Sequence, residues 1–406
     1  MNINSFARAP RGVWLAFLCT GCLAVALSTP VAAQTQAPAA SKAGPAAAAP
    51  ATAAPAPASA AYDVRSTGTA QLLAGLTPTP GDPVIDRLAA SAAWKAHAQT
   101  MQQDWAKVLP RLAEMEKWRD RELKIPDASR RTLLYPFSGP DYLNAATLFP
   151  NHKQYMFFSL ESPGRLPDVA SMNEKQFSRL LENTRYAMRD IFQRNYFITD
   201  YMTKQLSAEL FKGTVPVMAI MMVLEGKRIV RIENVDLFPE LGKQYAEPGN
   251  RPQKRLAGVR IDFVDAKSGL AQQLTYFSLD ATDKALEYYP AFLEAIGRNK
   301  PATGFLKSAS YLLHDHQFKK TRDMMLATAD QIVQDDTGIP YKYFPKPTWQ
   351  VKLYGQYEPP IRPLTYGTQP DLRAAYAAQD KANPISFPFG YHWKNGKSGL
   401  MVATRQ

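Results

Sequence analysis

Two hydrophobic periods alternate along the chain, and they are sharpest between Thr132 and Glu161. Leu133 to Phe137 is an apolar run that stops at Ser138-Gly139-Pro140-Asp141, Tyr142 to Phe149 is spaced as a helix, and Tyr155 to Leu160 is a second apolar run ending on Glu161. Strand, loop, helix and strand within that length are about the minimum a parallel crossover needs. The stretch therefore predicts the centre of an α/β core. Ahead of it, Asp82-Pro83 supplies an N-cap acid and a proline at the first helical position. Leu88, Trp94, Met101, Trp105, Val108, Leu112, Met115 and Trp118 follow at helical spacing. A helical lead-in over 82–123 is expected, with Pro110 kinking it or starting a second helix.

Beyond the central unit, Ser171-Met172-Asn173-Glu174 fits an S-x-x-E capping box, and Phe177, Leu181, Thr184, Met188, Ile191, Phe192 and Ile198 continue one helical face. Val215 to Leu224 is continuously apolar and reads as a buried helix or strand, too short to span a bilayer. Lys227 to Leu237 alternates as a strand, and Val259 to Val264 with Leu274 to Leu279 brackets a turn at 265–269, predicting an antiparallel hairpin. Helices are expected over Ala285 to Ile296 and Phe318 to Val333. Phe305 to Leu313, with Lys307 set inside it, is expected as a buried strand or helix. Residues 340–406 are rich in proline, glycine and aromatics, among them Tyr391 and Trp393, and predict short strands and loops that wrap the core and close on a strand at Leu400 to Ala403. The interleaving predicts a mixed, largely three-layer α/β fold, with helices on both faces of one sheet, in a single large domain over 62–406.

Composition adds a location. Arg8 and Arg11, the apolar stretch Val13 to Leu27 and small residues ending at Val31-Ala32-Ala33 describe a secretory signal peptide cleaved after Ala33, with a lipoprotein acylated at Cys22 as the alternative. Both cysteines, Cys19 and Cys22, fall inside that segment, so the mature chain is expected to carry no disulfide and no thiolate site. Residues 34–61 are almost wholly alanine and proline and predict a disordered tether. Cleavage removes two arginines and lowers the formal net charge from +12 to +10. Outside the cytoplasm such a surplus favours an anionic envelope component over nucleic acid. No transmembrane span is expected in the mature chain, and neither a cofactor nor an oligomeric state follows from the sequence.

Three clusters are candidates for chemistry, the first of them under two readings. The turn Ser138 to Asp141 lies where open α/β sheets bind ligands, at a strand's carboxyl end, with Glu161 closing the next strand. A single glycine, Gly139, and the donorless Pro140 argue against a phosphate-cradling loop. Ser138 is a candidate nucleophile, although Pro136 stands at the first glycine position of the G-x-S-x-G elbow. His314-Asp315-His316 offers metal ligands: His314 and His316 share a face on a strand but diverge on a helix. Asp335 and Asp336 follow, and Asp336-Thr337-Gly338 matches the short aspartic protease motif once, where that chemistry needs two copies.

Tyr135 to Asp141, Ser159 to Gly164, Ser310-Tyr311-Leu312 and Gln334 to Pro340 resemble a family of uncharacterised exported bacterial proteins, over a span from about Trp94 to the C-terminus. The resemblance implies export and one continuous folded unit, and it carries no activity and no catalytic residue. Two functions are therefore expected side by side. One is an envelope protein that binds an anionic or aromatic-stacking ligand, an envelope component or a small molecule, through Gly139, Asp141, Lys307 and Asp335. The other is a periplasmic hydrolase with a carboxylate and histidine site drawn from Ser138, Asp141, Glu161, His314, Asp335 and Asp336. Convergence of those groups is what separates the two.

Overall fold

The computed structural model describes residues 62–196, 207–208, 210–236, 256–362, 364–379, 383–392 and 397–406. The expected signal peptide, both cysteines and the Ala/Pro tether lie outside the described residues, as do Ile198, Leu237 and Trp393. Among the described residues no helix is long and apolar enough to cross a membrane.

The central unit forms as its periodicity predicts. Strand β1 (Thr132–Pro136) pairs in parallel with β2 (Gln154–Ser159). Leu133 and Tyr135 of β1 enter one hydrophobic core and Leu134 the other. A strand buried on both faces has no solvent side to mark with polar residues, which is why these strands read as unbroken apolar runs. A small ribbon, β3 (Ser207–Ala208) with β4 (Phe211–Lys212), stands apart from the main sheet. The main sheet continues with β5 (Lys227–Asp236), β6 (Ala257–Asp265), β7 (Ala271–Ser278), β8 (Ala302–Leu306), β9 (Ala329–Gln334), β10 (Trp349–Gly355) and β11 (Gly399–Arg405). Its order is β10-β11-β9-β8-β1-β2-β7-β6-β5. The inner strands β9, β8, β1, β2 and β7 are mutually parallel, and antiparallel strands flank them on both sides. The expected hairpin is β6 with β7.

Helices cover both faces, which gives the three layers. On the first face lie α1 (Val64–Ala74), α2 (Pro83–Ala90), α3 (Ala92–Glu122), α4 (Tyr142–Leu148), α5 (Glu174–Arg194) and α6 (Val215–Leu224), all contributing to one core. The second face carries α7 (Asp283–Leu286), α8 (Pro290–Gly297), α9 (Lys319–Thr328) and α10 (Pro370–Ala377). Helix α6 is buried from Val215 to Val223, as a helix apolar all round must be. Asp82 caps α2 by accepting from the amides of Val84 and Ile85.

Several expectations shift. Pro110 leaves α3 continuous over 31 residues, because Val108, Leu112, Met115 and Trp118 on either side of it bury in the same core, and that packing outweighs a missing backbone bond. The capping box is built by Asn173 and Gln176, two residues beyond the Ser171 pattern. The run Phe318 to Val333 is not one helix: it breaks after Thr328, and Ala329 to Gln334 pairs in parallel with β8. Helix α1, which the apolar pattern does not mark, buries the small residues Thr67, Gly68, Thr69 and Ala70 together with Leu72 and Leu73.

The connection leaving β2 is pressed against the turn into α6, backbone on backbone. The Thr214 amide donates to Ser162 O at 3.1 Å and the Val215 amide to Pro163 O at 2.9 Å. Gly164 has φ +64, and a Cβ there would run into the Lys212 carbonyl. Gly164→Ala combines left-handed strain with a clash against backbone that cannot rotate away, and is expected to lose about 2–3 kcal/mol in urea unfolding. A loss below about 0.5 kcal/mol, the scale of a neutral surface change, would show that the turn yields.

Candidate functional site

In an open α/β sheet ligands bind beyond the carboxyl ends of the strands where the winding reverses. Here the chain passes from β1 to its neighbour β2 through α4 on one face, and from β8 to its neighbour β9 through α9 on the other. The reversal therefore falls between β1 and β8, which are adjacent and parallel. Three segments far apart in sequence meet beyond it: Phe137 to Asp141 after β1, Lys307 and Ser308 after β8, and Asp335 to Thr337 after β9.

Asp141 and Lys307 form the floor. Lys307 Nζ donates to Asp141 Oδ2 at 2.9 Å and to the Asn195 carbonyl at 2.6 Å, with both charged side chains almost fully buried. Tyr135 donates its hydroxyl to the same carboxylate at 3.0 Å, and Asn144 Nδ2 reaches Asp141 Oδ1 at 2.8 Å. The Asn144 amide also donates to Asp141, so this acid caps α4 while it neutralises Lys307. Arg111 of α3 lies close enough for Asp141 to act on its charge. Its Nε and Nη2 are shut off from solvent without a hydrogen-bond partner among the described residues, and burial pulls the guanidinium down to about 10 against the opposing pull of Asp141.

The second group is acidic. Asp335 accepts the Ser308 amide at 3.0 Å, and the Thr337 amide and hydroxyl at 3.0 and 2.5 Å. Burial first, and the neighbouring Asp336 charge second, push its carboxyl up to about 7. Asp336 instead receives the Tyr311 hydroxyl and faces His392, whose Nε2 stands 3.6 Å from Asp336 Oδ2. Burial acts to lower the His392 pKa, but the Asp336 and Asp335 charges outweigh it and hold it above the ordinary imidazole value. The segment Pro388 to His392 straps this group in place. Asn195 Nδ2 donates to Pro388 O at 2.9 Å, Ser398 Oγ receives the Phe389 amide at 2.7 Å, and the Tyr391 ring lies parallel to Tyr311 at 6.3 Å. Gly390 has φ +61, and a Cβ there would collide with Asp335 Oδ2, so the strap touches the carboxylate with bare backbone.

The Asp335 shift makes a signed prediction. A carboxyl raised on folding holds its proton in the native state while the unfolded chain, near the usual value of about 4, has released it. Between about pH 4 and pH 7 the native state then binds more protons, and Asp335 costs stability increasingly as pH rises through that window. Asp335→Asn removes the titration. Its stability relative to the parent protein is expected to improve with rising pH, by at most about 1.4 kcal/mol per unit, and to level off above pH 7. Urea titrations from pH 4.5 to 8 check it; a pH-independent difference means that Asp335 ionises normally in the fold.

Of the sequence candidates, Asp141, Lys307, Asp335 and Asp336 are brought together. His314 sits beside them, its Nε2 on the Gly338 carbonyl at 2.9 Å, with burial lowering its pKa. Gly139 (φ +51) turns the chain from β1 towards Asp141. Ser138 is buried and its hydroxyl donates to the Gly139 carbonyl at 2.9 Å. Glu161 belongs to a separate cluster at the ends of β2 and β7, where it accepts from Ser159 Oγ at 2.5 Å. His316 is exposed and lies 3.1 Å from Asp315, on a different short helix from His314. Among the described residues no three His, Asp or Glu side chains gather as a metal site. Tyr135, Arg111, Ser308, Tyr311, Tyr391 and His392 complete the site, and no chemical motif marks them in the sequence. The one available signal was the aromatic density of 387–392. Neither a protein-family model nor a curated protein sequence matches the chain.

Proposed function

We propose that the protein is an exported hydrolase that cleaves an ester or amide in an anionic envelope component, at the carboxyl ends of β1, β8 and β9. The observation that carries this reading is the Asp336–His392 pair beside Asp335, two adjacent acids in unlike surroundings. One is buried and raised to about 7; the other accepts a tyrosine hydroxyl and faces a histidine Nε2 at 3.6 Å. A carboxyl that burial raises towards neutrality, beside a carboxylate and an imidazole, is a group that general acid–base hydrolysis can use. Asp336 orients His392 and favours its charged form, while Asp335 can give or take a proton near neutrality. Arg111, whose Nε and Nη2 make no hydrogen bond among the described residues, supplies a cation for a negatively charged substrate.

The test is turnover of neutral and anionic chromogenic esters and amides by the full chain. Activity that disappears in Asp336→Asn and survives in Glu161→Gln supports the reading, since Glu161 belongs to the other cluster. Failure to turn over any of them removes it. The Arg111 guanidinium favours a second reading, an anion-binding protein without turnover; binding of an anionic ligand that needs Arg111, with no hydrolysis, is its signature.

A further inference from the structure

Ser308 stands at a turn of this site that the acid–base pair leaves unexplained. It follows β8 directly and precedes a short 3-10 helix (Ala309–His314), with φ 63° and ψ −82°. A left-handed backbone is uncommon for serine and costs energy that only a surrounding structure can impose. The side chain is 6% exposed, and its Oγ has no hydrogen-bond partner among the described residues. A buried hydroxyl normally finds an acceptor, and this one makes no cap to the helix that follows it. Asp335 holds the turn in place by accepting the Ser308 amide, and on the same Oδ2 atom it meets Gly390, two residues before His392. The hydroxyl is thus free, positioned by a strained strand-to-helix turn, and next to the segment that carries the imidazole.

We propose that Ser308 is the nucleophile of the hydrolase, a role that rests on the acyl-hydrolysis reading above. Its Oγ adds to the substrate carbonyl carbon while its proton passes to the His392 imidazole, which faces Asp336. The tetrahedral adduct collapses, the C–O or C–N bond of the leaving group breaks, and that group departs with the proton. Water then adds to the Ser308 ester with the same base, releases the acid and restores the hydroxyl. Strained turns that hold a serine between a strand and a helix serve this chemistry on other folds, where the geometry and not the chain order defines the site.

The test is covalent labelling of the full chain with a fluorophosphonate, followed by mass mapping of the adduct. One adduct on Ser308 is expected, absent in Ser308→Ala and Ser308→Gly and retained in Ser138→Ala. Ser308→Gly guards against a folding defect: glycine accepts the positive φ, so this variant is expected to melt no lower than the parent while losing at least 100-fold in labelling rate. No adduct, or an adduct on another residue, overturns the proposal. If turnover is lost in Asp336→Asn but unchanged in Ser308→Ala, water attacks directly, so Ser308 fails while the hydrolase stands. An adduct at Ser308 without turnover of any ester or amide tried upholds the nucleophile and removes the substrate class.

Discussion

Lys307→Met is expected to destabilise the protein by about 3–5 kcal/mol, the cost of leaving a buried charge without its partner. Methionine keeps much of the lysine stem's length, so the loss is electrostatic before it is a matter of packing. Asp141 would retain the Tyr135 hydroxyl and the Asn144 donors but lose the ion-paired Lys307 ammonium, and the Asn195 carbonyl would lose the Nζ bond at 2.6 Å. Those remaining donors cannot neutralise a carboxylate that is almost fully buried. The pair itself is a different matter. Lys307→Met with Asp141→Asn removes both charges, and the double variant is expected to recover at least about 1 kcal/mol relative to the sum of the singles. Urea unfolding of the four proteins closes the cycle. If Lys307→Met loses less than about 1 kcal/mol, the pair is hydrated in solution and does not hold β8 to the loop after β1.

The second large effect concerns activity. If the proposed hydrolysis is correct, Asp336→Asn should lower kcat by about 100- to 10,000-fold, the usual contribution of a positioned acid–base group. The amide oxygen of asparagine can still accept from Tyr311, so the fold is expected to persist. What disappears is the negative charge 3.6 Å from His392 Nε2, which counters the burial that would otherwise lower the imidazole pKa. His392→Gln should fall to a similar level, and the double variant should be little worse than either single, because groups that act as one unit do not contribute separately. Additive losses would mean that Asp336 and His392 work apart. Unchanged kcat in Asp336→Asn would place the chemistry elsewhere.

How much of this was legible can be judged residue by residue. The β1-α4-β2 unit was readable because burial on both faces leaves continuous apolar runs, and because proline, glycine and aspartate mark the turn between them. Lys307 drew notice as a charge inside an apolar segment, which is where buried ion pairs arise. Asp335 and Asp336 stood out as adjacent acids after an apolar run. Their partners did not. Tyr135 looked like a core aromatic, which it also is, and Tyr311 and His392 sit in segments with no period to interpret. The boundary at Thr328 was missed because Ala329 to Val333 continues an apolar pattern that helix and strand share over so short a length.

What the sequence alone determined is local: which stretches bury a face, where helices begin, and that the folded part is one mixed α/β layer structure. Those properties follow from the spacing of apolar side chains and from capping and turn chemistry, which act over a few residues. The tertiary structure alone decided that β8 lies beside β1 and β9 beside β8, and so that Asp141 meets Lys307 and Asp335 meets Ser308. It also decided that the strap 388–392 crosses back to set Gly390 on Asp335 and His392 beside Asp336. The reason is that strand order is chosen by the matching of whole faces and by the reversal of winding on the sheet. Neither is encoded in the spacing of any one segment.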